Sequence, residues 1–135
     1  MVAPDGRWLA YTSNESGRYE VYVQPFPEPG EKFQISTGGG ADPVWSRNGR
    51  ELFYRAGNKM MAVPVQTGTR FVAGKPAELF EGRHETLGAA GVPAGSYDVA
   101  ADGQRFLMVK AAAARPPTQI NVVINWFEDL KRKFQ

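Results

Sequence analysis

Short runs of alternating apolar and polar residues, each ended by a polar, glycine-rich or proline-rich turn, run the length of this chain. In residues 7–12, Trp8, Ala10 and Thr12 alternate with Leu9 and Tyr11, the period of a β-strand. A polar turn over 13–18 leads into residues 19–24, a second strand rich in aromatic and β-branched residues. Pro25, Pro27, Pro29 and Gly30 end it, and residues 32–36 form a short third strand closed by Thr37 and the glycines 38–40.

The next stretch repeats this plan with one strand more. Strands are predicted over 42–46, 51–55, 59–65 and 76–80, with turns at 47–49 and 56–58 and a loop over 66–75. Pro64 lacks an N–H, so its strand is expected to be irregular or unpaired there. A third stretch predicts strands over 96–100, 104–110 and 119–124, the last two separated by an Ala/Pro segment. From Trp126 the period changes to that of a helix, with Trp126, Phe127, Leu130 and Phe134 on one side. Asn125 can cap that helix, with acids early and Lys131, Arg132 and Lys133 late, as the helix dipole prefers.

One phrase ties the three stretches together. Asp5-Gly6-Arg7-Trp8-Leu9-Ala10-Tyr11 returns as Asn48-Gly49-Arg50-Glu51-Leu52-Phe53-Tyr54 and as Asp102-Gly103-Gln104-Arg105-Phe106-Leu107-Met108. Asp-Gly and Asn-Gly are strong hairpin signals, because a tight hairpin turn needs positive φ at its central residues. The interval from Gly6 to Gly49 is that of a four-stranded propeller blade, and the longer one from Gly49 to Gly103 fits a blade with an insertion. The expected fold is therefore all-β: about three β-propeller blades of four antiparallel strands, with a short C-terminal helix. The blades are assigned to residues 1–40, 41–81 and 95–135. The first lacks its strand before the Asp-Gly turn and the third lacks its outer strand. Three blades cannot close a ring of four to eight. Pairing two copies would give six blades, and the opening of the chain directly before a turn reads as a piece of a longer protein.

Composition narrows the chemistry. Sixteen basic and 14 acidic residues leave a net charge of +2, too balanced to imply nucleic-acid binding. There is no cysteine and a single histidine, His84, which removes disulfides, thiolate chemistry and any ordinary zinc site. No run reaches the roughly 20 apolar residues of a membrane span, so this segment is not expected to insert in a membrane.

Candidate sites are few. Asp5, Asn48 and Asp102 read as turn residues rather than metal ligands. Glycines 38–40 precede no helix and read as a sharp crossing between blades rather than a phosphate loop. Trp8 and Trp45 read as core. No Gly-x-Ser-x-Gly elbow surrounds any serine, and no catalytic, cofactor-binding or metal-binding residue is assigned. The long loop 82–95 carries Arg83, His84 and Glu85, and the terminal helix carries Trp126, Phe127 and Leu130; these six are the candidate interaction residues.

The repeated phrase resembles the TolB-like β-propeller family, whose WD-like repeat has a Trp-Ser-x-Asp-Gly core. Val44-Trp45-Ser46-Arg47-Asn48-Gly49 is the nearest match, with Asn48 in the Asp position. Val99-Ala100-Ala101-Asp102-Gly103 is similar but lacks the Trp and the Pro. Asn121-Val122-Val123-Ile124-Asn125-Trp126-Phe127 resembles the C-terminal end of propellers attached to bacterial serine/threonine protein kinases, although no kinase element is present in this chain. The resemblance implies a bacterial, extracytoplasmic, non-catalytic module for protein interaction or sensing, without a cofactor, that self-associates or binds a protein partner. The alternative reading is a fragment of a propeller that gates substrate access in a peptidase-type enzyme.

Overall fold

A computed structural model of the chain describes residues 1–83 and 97–109. Among these residues every regular element is a strand and every strand pairing is antiparallel. The terminal helix, the strand over 119–124 and most of the loop 82–95 lie outside the described residues.

The first sheet has the order β1 (Trp8–Ser13), β2 (Glu20–Pro25), β3 (Phe33–Gln34). Trp8 pairs with Pro25 and Ser13 with Glu20, so the two long strands align along their whole length. Residues 1–3 add to the free side of β1: Val2 bridges Leu9, Ala3 N–H donates to Trp8 O at 2.8 Å, and Ala10 N–H donates to Met1 O at 2.9 Å. The strand expected to be missing before the first Asp-Gly turn is thus begun by these three residues.

The second sheet holds β4 (Ala41–Trp45), β5 (Glu51–Ala56), β6 (Lys59–Thr67), β7 (Phe71–Ala73) and β8 (Ala77–Glu81). Near its start β4 shifts register, between Ala41 and Val44. There Asp42 takes a left-handed φ of 54° and Pro43 has no N–H to offer a ladder. β6 pairs with β8 through residues 59–62 and with β7 through residues 65–67. Pro64 falls in the gap between the two, where only its carbonyl is used, accepting Gly74 N–H at 2.8 Å. The irregularity expected at Pro64 is present. The segment expected as a loop over 66–75 is instead largely a second hairpin, because β6 continues past the proline and turns back through β7.

The third sheet pairs β9 (Tyr97–Val99) with β10 (Phe106–Met108). All three sheets turn the same way at the repeated phrase. Ala3, Ser46 and Ala100 each donate their N–H to the carbonyl five residues on, and each accepts from Gly6, Gly49 or Gly103. The glycines hold φ of 71°, 69° and 69°, and Asp5, Asn48 and Asp102 each accept the N–H two residues ahead at 3.0 Å. This is a four-residue loop with only the glycine left-handed, not a tight turn with positive φ at both central positions. The acid or amide is used for its side-chain oxygen, which replaces a backbone acceptor.

Strand alternation builds two cores. Trp8, Ala10, Val21 and Val23 of the first sheet meet Leu52, Tyr54, Val63 and Val65 of the second. On the opposite face of the second sheet, Phe53, Met60 and Ala62 meet Tyr97, Val99, Phe106 and Met108. Phe53 and Phe106 pack edge to face with centroids 5.1 Å apart, a favoured aromatic geometry. Leu52 and Phe53 are neighbours in sequence, are both essentially inaccessible to solvent, and belong to different cores. The middle sheet is therefore buried on both faces.

Candidate functional site

Buried polar groups collect where the first sheet crosses to the second. Glu20, at the start of β2, is almost wholly buried. Its Oε1 accepts the N–H groups of Gly38 and Gly39 at 3.0 and 2.9 Å, and the exposed Arg18 guanidinium approaches the same oxygen at 3.1 Å. Its Oε2 accepts the Ser36 hydroxyl, which itself accepts Val21 N–H at 2.8 Å. Burial opposes ionisation of this carboxyl, but Ser36, the two glycine N–H groups and Arg18 together hold its pKa below the usual glutamate value. Gly38 and Gly39 reach it with φ of 94° and 109°, and a side chain at Gly40 would collide with the Ser36 hydroxyl. The glycines do serve a crossing, and Glu20 is the anion that organises it.

A second polar cluster joins the second and third sheets. Tyr97 on β9 donates its hydroxyl to Asp42 O at 2.7 Å, spanning from one sheet to the other. Burial first, and then the Asp42 carboxylate, push the Tyr97 pKa up despite the opposing influence of Arg55. Its phenol stays protonated and acts as a donor. Arg18, Asp42 and Arg55 border a hollow of about 310 Å³ between the two clusters.

The Ser36 hydroxyl donates to the Glu20 carboxylate, and among the described residues, which do not include the chain's one histidine, no nucleophile, base and orienting group are brought together. Among the described residues no group of three or more His, Asp or Glu side chains could hold a metal ion.

Of the six candidate interaction residues, Arg83 alone is described. It is exposed and borders a groove of about 760 Å³ with Phe80, Phe106, Leu107 and Met108. His84, Glu85, Trp126, Phe127 and Leu130 lie outside the described residues.

A different hollow had no counterpart among the sequence expectations. It measures about 570 Å³ and lies between the first sheet and the β6–β7 hairpin, lined by Trp8, Pro25, Glu31, Phe33 and residues 69–72. Phe71 reaches back from the hairpin to place its ring 5.3 Å from Trp8 and 5.2 Å from Phe33. Trp8 is core, as expected, and also wall. A signal for this hollow existed in Gly68, a turn residue flanked by threonines and followed by an aromatic, yet sequence alone does not say which sheet such a hairpin leans on.

No protein-family model matches the chain, and no curated protein matches it.

Proposed function

We propose that this chain is a non-catalytic β-propeller module of the TolB-like type that presents its loops to a protein partner and completes its ring with a second copy. The observation that carries the reading is the middle sheet, buried on both faces by flanking sheets that share its hairpin bonding. Face-to-face stacking of such units is what a propeller repeats around its axis. In support, the far faces of the stack remain apolar in part. Leu9 and Tyr11 alternate away from the core of the first sheet and are half-buried, the Tyr11 ring stacked at 5.9 Å on the buried Tyr22. Leu107 alternates away from the core of the third sheet and is 77% exposed. Each far face would meet the other kind on a second copy, and the two contacts together close a ring with twofold symmetry.

In this reading binding rests on shape, with rigid sheets holding loops around a channel. The test is solution mass by light scattering on a size-exclusion column at several concentrations. A discrete dimer is expected, and a monomer at every concentration contradicts the self-completed ring.

A further inference from the structure

We propose that Asn48 is a site of spontaneous covalent modification, its side-chain amide hydrolysing to aspartate at a rate set by the hairpin loop that holds it. Of the five asparagines in the sequence, only Asn48 precedes a glycine. Deamidation begins when the backbone nitrogen of the next residue attacks the asparagine Cγ, and glycine has no side chain to block that approach. The bond from Gly49 N to Asn48 Cγ forms, the Cγ–Nδ2 bond breaks, and the amide leaves as ammonia with the Gly49 proton. Water then opens the cyclic imide. Cleavage at the side-chain carbonyl gives aspartate, and cleavage at the main-chain carbonyl gives isoaspartate. One water is consumed and one ammonia released, with no oxidant or reductant.

Three observations meet at this residue. Asn48 is exposed, and its leaving nitrogen holds nothing in place. Its Oδ1 accepts the Ser46 hydroxyl at 2.8 Å and Arg50 N–H at 3.0 Å, while Nδ2 makes no hydrogen bond among the described residues. The fold already carries the aspartate product twice. Asp5 and Asp102 occupy the same place in the other two loops, and each accepts the N–H two residues ahead at the same 3.0 Å. Isoaspartate has no such precedent, because it routes the backbone through the side chain and adds an atom to the loop. Finally, the nucleophile is held back. Gly49 N–H donates to Ser46 O at 2.9 Å, so the loop must open before that nitrogen can turn onto Cγ.

The test is a time course of the full chain at mildly alkaline pH, folded and in denaturing urea, followed by peptide mapping with mass detection. An isoaspartyl methyltransferase marks the isoaspartate fraction. In urea, Asn48 is expected to convert ahead of the other four asparagines and to give both products. In the folded chain its conversion is expected to be about tenfold slower or more, the cost of opening a loop closed by a few net hydrogen bonds. Asn48→Asp, which is the product itself, is expected to melt with the wild type. Another asparagine converting first in urea overturns the site. Equal rates in the two samples overturn control by the loop, and a clearly lower melting temperature for Asn48→Asp overturns the fold's acceptance of the product.

Discussion

Gly49 and Glu20 show how single residues set this fold. Gly49 holds φ of 69°, and a Cβ added there would come no closer than 3.9 Å to Pro4 or Thr67, so its constraint is conformational rather than steric. Gly49→Val is expected to lower stability by about 1–3 kcal/mol, the cost of a β-branched residue in the left-handed region. Gly49→Asn should lose far less, and equal melting temperatures for Val and Gly would refute the turn. Glu20 answers to pH. Its folded pKa lies below the unfolded value of about 4.3, so its stabilisation is complete above that pH and is lost as pH falls through the folded value. Glu20→Gln keeps the shape but not the charge, and should cost about 1.5–3 kcal/mol at neutral pH. The variant should also lose less stability than the parent between pH 5 and acid, which urea titrations at several pH values can measure. Parallel losses would remove Glu20 from the account.

At the scale of elements, β5 makes the sharpest claim. Leu52 and Phe53 point into different cores, and both are fully buried. Leu52→Ala is expected to cost about 2–5 kcal/mol and Phe53→Ala about 3–5. A sheet solvated on one face would make one of the two nearly neutral, so denaturant melts of both variants decide the matter. Strand positions were largely legible because alternation and turn chemistry are local properties. The repeated phrase located the three hairpin loops that share its bonding, and Pro64 announced its own gap in the ladder. The β6–β7 hairpin was not legible, because the breaking effect of Pro64 reads the same in sequence whether the strand ends there or resumes beyond it. Residues 1–3 were missed for a related reason. Three residues carry no period, and their pairing with β1 depends on backbone bonds that any side chain permits. The aromatic hollow depends on contacts between Trp8 and Phe71, residues of separate sheets that no local pattern connects. Glu20 sat in an apolar run as an isolated acid, and the glycines that hold it came far later in the chain.

Among the described residues, the sheets form a stack whose inner faces are filled, with half-buried Leu9 and Tyr11 on the far face of the first sheet and exposed Leu107 on that of the third. The proposed closure sets the first sheet of one copy against the third sheet of the other. The absence of cysteine makes this directly measurable, since introduced thiols are the only ones present. Tyr11→Cys marks the far face of the first sheet and Leu107→Cys that of the third. Mixing the two single variants and adding a short bis-maleimide should join one of each into a covalent pair. Neither variant alone should cross-link to itself, because like faces do not meet in a cyclic ring. Cross-links between like variants, or none at concentrations where the protein is dimeric, would contradict the ring.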